Sequence, residues 1–340
     1  MRKEEFGIMG KNDRFGDEVK MRVAVIGLGV IGEVHSQVIR ETGNELVAVC
    51  DTDTEKLSLY PEVKGYTDYV QMLNEIKPDI VHICTPHYLH AEMILAALNR
   101  DIHVLCEKPI CIKEMDIPLI LEAEKRSNAQ LGVCVQNRYN PATLFVQEYL
   151  RDKKLISAHG ELRWHRDEKY YAQGEWRGKK ETEGGGVLIN QALHTIDLLQ
   201  YFCGMPESVS AVCENLSLQG IIDVEDTANV KLYGKNEATM YATNTADKDY
   251  PVEIVFQTSA AEVRMQTEGV YIDGIYHDCR AECKRYGKKI YGVGHHGLIY
   301  DFYDCVKTGR RFPIGGEEAV KAVKIVLAAY KSGGEEVKIW

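Results

Sequence analysis

The stretch VAVIGLGVIG, from Val23 to Gly32, decides the fold of this chain. A short apolar strand runs directly into Gly27, Gly29 and Gly32, which have the spacing of a dinucleotide-binding turn. Gly27 allows a tight turn, Gly29 leaves room for a pyrophosphate, and Gly32 lets the next helix lie close to its strand. The pattern predicts that the N-terminus of this helix meets the phosphates of a nicotinamide or flavin cofactor.

A second apolar run bears on which dinucleotide is bound. Leu46 to Cys50 ends in Asp51, 19 positions after Gly32 (51 − 32), where a carboxylate can bond both ribose hydroxyls. The same carboxylate would repel a 2′-phosphate, and no Arg or Lys follows before Lys56. The sequence therefore predicts NAD rather than NADP as the cofactor.

Length and charge exclude several classes of protein. With 340 residues the chain is long enough for two hydrophobic cores, because single cores stop growing at about 250 to 300 residues. A formal net charge of −10 offers no basic surface to a nucleic acid. No apolar run could span a bilayer, and the first 20 residues lack the apolar centre of a secretory signal. We expect a cytoplasmic protein without nucleic-acid or membrane partners.

The 10 cysteines indicate free thiols rather than disulfides or a zinc site. None forms a Cys-X-X-Cys pair, and no histidine near Cys279 and Cys283 completes a set of zinc ligands. The sequence predicts no metal centre. Small thiols in or beside apolar, strand-like runs pack well in a reducing compartment, as expected for Cys50, Cys84, Cys106 and Cys134.

The order of strand-like and helical runs along the chain predicts two α/β domains. Residues 1–20 are mostly polar and predict a loose N-terminal extension. Over 21–138, five short apolar runs (23–26, 46–50, 80–84, 103–106 and 132–136) alternate with helical stretches, of which the first is predicted from Val34 to Glu41. This order predicts a doubly wound parallel sheet of the Rossmann type that binds NAD(P). Beyond Arg138, five runs rich in Val, Thr and Tyr are predicted as strands with only turns between them, at 208–217, 227–233, 239–245, 252–257 and 262–266. For 139–340 we expect an α/β domain with a large, open, mainly antiparallel sheet that binds substrate and builds the oligomer.

Two motifs stand where strands of the first domain end, the edge at which such sheets bind ligands. One is CTPHYLH, residues 84–90, and the other is Glu107, Lys108 and Pro109. A lysine in a partly dry crevice can exchange protons near neutrality, and the following proline allows a cis bond that aims it. The alternative is a surface lysine with Glu107 as a solvated neighbour. The predicted cofactor surface comprises Gly27, Gly29, Val30, Ile31, Gly32, Asp51, Thr85, Pro86, His90, Glu107 and Lys108.

Several motifs together resemble those of one known family of enzymes. GLGVIG with Asp51, CTPHYLH, EKP, QNRYNP and GGGVLINQALHTIDLL are similar to the motifs of the Gfo/Idh/MocA oxidoreductases, and the resemblance spans Met21 to the C-terminus. That family includes glucose-fructose oxidoreductase and inositol dehydrogenases. Its members mostly oxidise or reduce a hydroxyl or carbonyl of a sugar, cyclitol or sugar derivative with NAD(P). The resemblance implies such a dehydrogenase here, and a homo-oligomer, dimer or tetramer, built through the second sheet.

The resemblance also implies catalytic residues. Lys108 matches the family lysine that contacts substrate and cofactor, and His194 matches the histidine beside the reacting hydroxyl. Asn190 and Asp197 are expected to share a helix face with His194. Many relatives have aspartate at the position of Asn190, whereas asparagine can orient a substrate but cannot accept a proton. Lys108 and His194 therefore both remain candidates for the proton acceptor.

Further residues are predicted to line the substrate site. Asn137 and Arg138 match a family pair that borders the substrate, although an ion pair across the domain interface is an alternative for Arg138. Trp176 and Arg177 place an aromatic ring and a cation where a sugar could be met. The predicted substrate-binding residues are Lys108, Asn137, Arg138, Trp176, Arg177, Asn190 and His194.

The predicted mechanism is reversible hydride transfer between nicotinamide and a substrate carbinol, with His194 or Lys108 as the base. His295 and His296 precede a late helix and could reach the cleft, although a histidine at a helix start is more often on the surface. Two alternatives use the same scaffold. One is an NAD-dependent glycosidase that works through transient sugar oxidation, and the other is a regulatory protein that only binds the dinucleotide.

Overall fold

A computed structural model describes residues 20–281 and 292–340 of the chain. The predicted extension over 1–20, apart from Lys20, lies outside the described residues, and so does Cys283. The described chain forms two sheets with helices against them, one of six strands and one of nine. The α/β class predicted from the sequence is confirmed.

The first sheet consists of six parallel strands. Their order is β3-β2-β1-β4-β5-β6, which confirms the doubly wound parallel sheet. Strand β3 was not predicted, because it has only three residues and two of them are exposed. The strands are β1 (Arg22–Ile26), β2 (Glu45–Cys50), β3 (Lys64–Tyr66), β4 (Ile80–Ile83), β5 (His103–Glu107) and β6 (Leu131–Cys134).

Helices supply the crossovers between these strands. The first begins at Val30 rather than at the predicted Val34, because the glycine-rich turn forms its first turn. Gly32 lies inside that helix, where a Cβ would come within 1.9 Å of the Gly27 carbonyl oxygen. Short 3-10 turns cover His87–Leu89 and Gln136–Tyr139. The helices are α1 (Val30–Glu41), α2 (Thr54–Leu57), α3 (Tyr69–Ile76), α4 (His90–Leu98) and α5 (Asp116–Arg126).

The second sheet is mixed and mostly antiparallel. Strands β7 and β10 pair in parallel within this sheet. The strand order is β14-β13-β12-β11-β7-β10-β9-β8-β15. The sequence predicted five of these strands and missed β7, β13, β14 and β15. The strands are β7 (Leu155–Arg163), β8 (Ser208–Glu214), β9 (Thr227–Tyr233), β10 (Glu237–Thr243), β11 (Glu253–Thr258), β12 (Glu262–Gln266), β13 (Gly269–Ile272), β14 (Ile275–Asp278) and β15 (Val337–Lys338).

Six further helices accompany the second half of the chain, and one of them returns to the first sheet. Phe302, on α10, belongs to the core of the first sheet, where its ring would lie 2.7 Å from a Cβ at Gly132. The domain division after Arg138 stays a prediction. Helix α10 belongs to the second part of the chain by sequence but packs in the core of the first sheet. Within the described ranges no helix is both long and apolar enough to cross a membrane. The helices are α6 (Pro141–Leu150), α7 (Glu168–Tyr171), α8 (Lys180–Glu183), α9 (Leu193–Cys203), α10 (Gly294–Thr308) and α11 (Gly316–Ser332).

Candidate active site

The glycine-rich turn forms one end of the site. Gly27 has a φ of +90°, and a Cβ there would lie 2.6 Å from the Cys84 carbonyl oxygen, so only glycine fits. At Gly29 nothing lies within 4 Å of a Cβ position, and no described side chain caps α1 there. The side chain of Val30 is 60% exposed. The uncapped helix N-terminus and the open space beside it fit a dinucleotide phosphate.

Asp51 is held against this turn. Its Oδ2 accepts a hydrogen bond from the backbone N–H of Leu28 (2.7 Å), and its Oδ1 accepts one from the N–H of Asp53 (2.9 Å). The Lys56 ammonium lies 3.6 Å from Asp51 Oδ2. Lys56 is five residues after Asp51 in the sequence, but its side chain folds back onto the Asp51 carboxylate. Both charges therefore lie at the predicted ribose position.

The His90 ring is within hydrogen-bond distance of both strand-end motifs. The ring is fully buried, with Nδ1 2.7 Å from the Pro109 carbonyl oxygen and Nε2 2.8 Å from the Thr85 carbonyl oxygen. Thr85 and Pro86 are half-buried in the turn ahead of it. A direct cofactor contact, as predicted for His90, does not fit a ring with no exposed surface. Its contribution is to fix the two loops relative to each other.

Lys108 is the centre of the site and is not a surface lysine. The side chain is half-buried, and the Lys108–Pro109 bond is cis. Its Nζ donates to the backbone oxygen of Asn190 at 2.8 Å and to Asn190 Oδ1 at 3.2 Å. Burial lowers the pKa of Lys108 to about 8, against the opposing charges of Glu107 and Glu183. The amine can therefore gain or lose a proton near neutral pH.

Glu183 is a site residue that the sequence analysis missed. Its side chain is buried, its Oε1 accepts from Asn190 Nδ2, and its Oε2 accepts from the backbone N–H of Gly178. Burial raises the pKa of Glu183 to about 7. In the sequence this glutamate ends the polar run KKETE and looks solvated. Its place directly before the three glycines was the only signal that could have drawn attention to it.

His194 faces Lys108 from the second domain. Burial, with the Lys108 charge, lowers the pKa of His194 to about 3, so the ring is neutral at physiological pH. Its Nε2 lies 3.3 Å from Gln136 Nε2. His194 Nδ1 and Gln136 Oε1 are buried without a hydrogen-bond partner in the described chain. Two buried polar atoms without a partner, in one pair of neighbouring side chains, are typical of a site that a polar ligand completes.

The predicted shared helix face needs one correction. Helix α9 begins at Leu193, so Asn190 lies in the turn that precedes the helix rather than on it. This turn is itself anchored, because Glu225 accepts hydrogen bonds from the N–H groups of Gly186 (2.8 Å) and Leu188 (3.0 Å). The loop reaches Lys108 through Asn190, whose backbone oxygen and Oδ1 both accept from the lysine Nζ.

Arg138 forms an ion pair, the alternative weighed for it in the sequence. Its Nε and Nη2 donate to both oxygens of Asp197 at 2.7 and 2.6 Å, and Glu318 Oε1 lies 3.0 Å from Nη2. The guanidinium is buried between these carboxylates. A substrate contact by Arg138 therefore does not fit, and Asp197 is the partner of Arg138 rather than of His194. Asn137 is half-buried and accepts from Asn140 Nδ2 at 3.3 Å.

Trp176 and Arg177 lie together beside Glu183. The Arg177 guanidinium stacks on the rings of Tyr170 and Trp176, with centroid distances of 4.7 and 4.6 Å. The Trp176 ring lies 4.8 Å from the ring of His87, whose Nδ1 is 2.9 Å from the Glu183 backbone oxygen. Both residues are half-buried, and Arg177 forms no ion pair with any carboxylate in the described ranges.

One cluster in the described part of the chain has the composition of a metal site. His35, Glu107 and His295 are buried and offer ligand atoms that lie within 4.8 Å of one another. Both rings reach the same carboxylate oxygen, at 3.0 and 3.3 Å, as hydrogen-bond donors do. Hydrogen bonding explains the arrangement, and we assign it no metal. His295 is buried here, so the surface position expected for it is wrong.

Comparisons with known proteins agree with this geometry. Residues 21–135 match a family described as oxidoreductases with an NAD-binding Rossmann fold, and residues 154–264 match the GFO/IDH/MocA C-terminal domain. The chain therefore belongs to the GFO/IDH/MocA family of oxidoreductases. The family resemblance and the NAD-binding nature of the first domain are confirmed.

Several relatives are named as dehydrogenases of sugars or cyclitols. A D-glucoside 3-dehydrogenase of Escherichia coli (strain K12) is 30% identical over 203 residues, which cover 56% of this chain and 57% of that protein. A myo-inositol 2-dehydrogenase of Thermotoga maritima is 23% identical over 329 residues, or 92% of this chain and 96% of that protein. The chain spans just over half the length of several curated relatives it matches, the E. coli protein included.

Solved structures share the fold over almost the whole chain. The WlbA dehydrogenase from Chromobacterium violaceum, in complex with NADH and UDP-GlcNAcA, has a TM-score of 0.83 and 26% identity and covers 95% of this chain and 97% of that one. A levoglucosan dehydrogenase in complex with NADH and levoglucosan has a TM-score of 0.80 at 20% identity, covering 94% of this chain and 100% of that one. The second likeness concerns the fold alone.

Proposed function

We propose that this protein is an NAD-dependent dehydrogenase that transfers hydride between the nicotinamide and a hydroxyl or carbonyl of a sugar, cyclitol or sugar derivative. The observation that carries the proposal is the pair of hydrogen bonds from Lys108, at the end of β5, to Asn190 of the second domain. His194 lies near enough for the Lys108 charge to lower its pKa. When bound, NAD supplies the hydride acceptor at its nicotinamide ring. The names of the relatives support a sugar or cyclitol as the substrate.

We assign the proton acceptor to Lys108 and an orienting role to His194. A base works best when its pKa lies near the working pH, which the value of about 8 for Lys108 satisfies and the value of about 3 for His194 does not. The substrate hydroxyl gives its proton to Lys108 Nζ, and the resulting ammonium donates to the two oxygens of Asn190. Asn190 cannot carry the proton onward, but it joins Lys108 to the Glu183 carboxylate.

Asp51 is proposed to select NAD over NADP. Its charge would repel a 2′-phosphate, whereas Lys56 beside it would attract one if the carboxylate were neutral. We expect Asp51→Asn to raise the ratio of NADP to NAD affinity by about tenfold, the effect of one charge–charge interaction of about 1.4 kcal/mol. The two dissociation constants are measured by titration of the protein with each dinucleotide.

Asp53→Asn is the matched control for this change. Asp53 is an exposed carboxylate two residues away that caps α2 through the N–H of Glu55, and its loss should leave the ratio of affinities nearly unchanged. Tighter binding of NADP than of NAD by the unaltered protein would contradict the assignment of Asp51, as would an Asp51→Asn ratio equal to that of Asp53→Asn.

Arg177 is proposed to bind an acidic group of the substrate. It is a half-buried cation held by two aromatic rings, without an ion pair in the described part of the chain, and its charge opposes the ammonium of Lys108. Such a like-charge pair in a partly dry cleft favours a ligand that brings a negative charge. The substrate class this favours is a sugar acid or another sugar derivative with a carboxylate.

A substrate panel tests the function and the role of Arg177 together. Inositols, aldoses, the corresponding sugar acids and glycosides are incubated with NAD and with NADP, and the NADH absorbance band is followed. We expect net NADH formation, with sugar acids preferred to their neutral counterparts and the preference lost in Arg177→Gln. Product formation without net NADH would support the glycosidase alternative, and tight NAD binding without turnover would support the regulatory one. Equal rates for acidic and neutral members would exclude only the role of Arg177.

We also propose a homo-oligomer and a cytoplasmic location. The open face of the second sheet carries exposed or half-buried apolar side chains such as Val212, Tyr241 and Val255, which favours association of copies through that face. Nine cysteines in the described ranges are free, seven of them in strands or the loops that follow strands, which is typical of a reducing compartment. Sedimentation of the full chain measures the oligomeric state.

A further inference from the structure

Five buried polar side chains form a continuous chain of hydrogen bonds at the end of β5. The Oε1 atom of Glu107 lies 3.0 Å from His35 Nε2 and 3.3 Å from His295 Nε2. His35 Nδ1 is 2.8 Å from His82 Nδ1, and the Tyr303 hydroxyl is 2.9 Å from His82 Nε2. We call these five residues the Glu107 chain. They come from four elements, β4, β5, α1 and α10, so no local sequence pattern announces them.

The donors and acceptors of the Glu107 chain fix where its protons are. A carboxylate only accepts, so His35 Nε2 carries the proton that points at Glu107. In a neutral ring His35 Nδ1 then accepts, and His82 Nδ1 must donate to it. His82 Nε2 is thereby an acceptor and takes the proton of the Tyr303 hydroxyl. This arrangement leaves the rings of His35 and His82 neutral beside the charged Glu107 carboxylate.

The pKa directions agree with this assignment. Burial lowers the pKa of His35 and lowers that of His82 well below its ordinary value, so both rings are neutral. Burial alone would raise the pKa of Glu107. The hydrogen bonds from His295 and His35 outweigh it and hold that pKa well below the ordinary range. A buried carboxylate stays ionised only with such donors.

Glu107 is the nearest counter-charge to Lys108 along the chain. The backbone N–H of Lys108 donates to Glu107 Oε2 at 3.3 Å. From the second domain, Glu183 favours the ammonium form of Lys108 and Arg177 opposes it. The other titratable groups that face Lys108 are His87, His90 and His194. Besides its two donors, Glu107 is faced by Lys108, His82, His90, His194, Cys84, Cys106 and Cys134.

We propose that the other four members of the Glu107 chain are positioning residues that hold Glu107 as a carboxylate beside Lys108, and so set the proton affinity of that lysine. The inference rests on the proposed role of Lys108 as proton acceptor. Without the Glu107 charge, Glu183 would be the carboxylate left beside the ammonium in the part of the chain that the structure describes, in a partly dry site that also holds Arg177. It would therefore lose its proton at a lower pH.

Titration of Lys108 in the full-length protein tests this without any substrate. The amines are labelled with acetic anhydride at a series of pH values, and mass spectrometry measures labelling of the peptide that contains Lys108. Only the neutral amine reacts, so the midpoint reports its proton affinity. We expect a midpoint near 8 in the unaltered protein and a fall of about one pH unit, a tenfold loss of proton affinity, in Glu107→Gln.

A pair of tyrosine variants separates the role of the chain from a general loss of stability. In Tyr303→Phe, His82 Nε2 loses its donor, so nothing holds the ring proton on Nδ1 and the neutral tautomer with the proton on Nε2 becomes accessible. In that tautomer His82 Nδ1 accepts from His35 Nδ1, and His35 Nε2 no longer donates to Glu107. The midpoint should then fall in the same direction by a smaller amount. Tyr139→Phe also removes one hydroxyl. That hydroxyl donates to Asp301 Oδ2 at 2.6 Å and is not part of the Glu107 chain, so its loss should not move the midpoint.

Two results would overturn the proposal. One is an unchanged midpoint in Glu107→Gln, and the other is the same midpoint in Tyr303→Phe as in Tyr139→Phe. If Glu107→Gln does not fold, the comparison of the two tyrosine variants decides. Failure of the dehydrogenase function would show instead as a lack of turnover across the substrate panel, which leaves this titration readable.

Discussion

Replacing Lys108 by alanine is expected to lower kcat by about 10²- to 10⁴-fold, the usual contribution of a general acid or base. The variant removes the amine that accepts the substrate proton, and the cation that would stabilise an alkoxide. NAD affinity should be nearly unchanged, because Nζ bonds Asn190 rather than the glycine-rich turn. Steady-state kinetics with the best substrate of the panel and a separate NAD titration measure the two effects.

Two further variants make the result specific to Lys108. Lys113→Ala removes an exposed lysine from the same loop and should keep normal turnover. Lys108→Arg keeps the positive charge but cannot lose its proton at neutral pH, so it should be nearly as slow as Lys108→Ala. Normal turnover in Lys108→Ala would end the catalytic assignment. Full activity in Lys108→Arg would show that charge alone is needed.

Replacing His194 by alanine is expected to lower kcat/KM by about 10²-fold, the cost of losing one orienting group in the site. The effect should come without a change in the pH dependence. In the unaltered protein, carbinol oxidation should rise as the pH passes about 8, because Lys108 must be neutral to accept a proton, and carbonyl reduction should fall over the same range. His194→Ala should retain that midpoint in both directions.

The pH profile also separates the two candidates for the base. If oxidation instead fell as the pH rose through about 8, a charged Lys108 would be needed and His194 would be the acceptor. His103→Ala is the control for the loss of an imidazole. Its ring lies at the opposite end of β5, where it accepts from the N–H of Gln130 at 2.9 Å, so turnover should be kept.

The first domain could be predicted from the sequence because its signals are local. The strand, glycine turn and helix from Val23 onward follow directly from residue order, and the end of β5 places Lys108 at the ligand-binding edge of the sheet. The six-strand order was not deducible in full, since β3 has no apolar run to announce it. Its pairing depends on β2, which supplies the register.

The rest of the site depends on contacts between distant segments. Glu183 reads as solvated in a polar run, and only the folding of Asn190 and Gly178 around it buries it. His295 becomes buried because α10 returns to the core of the first sheet. For Arg138 the sequence allowed either a substrate contact or an ion pair. The ion pairs with Asp197 and Glu318 favour the second. These outcomes are set by tertiary packing, which a single sequence does not display.

Transfer of deuterium tests the central claim most directly. The best substrate of the panel is prepared with deuterium on the carbinol carbon and incubated with NAD, and the mass of the NADH formed is measured. Direct hydride transfer predicts that the deuterium appears in NADH in one-to-one ratio with the oxidised product. Unlabelled NADH, or product formed with the deuterium in solvent, would contradict a site in which Lys108 takes the proton while the carbinol hydrogen passes to nicotinamide.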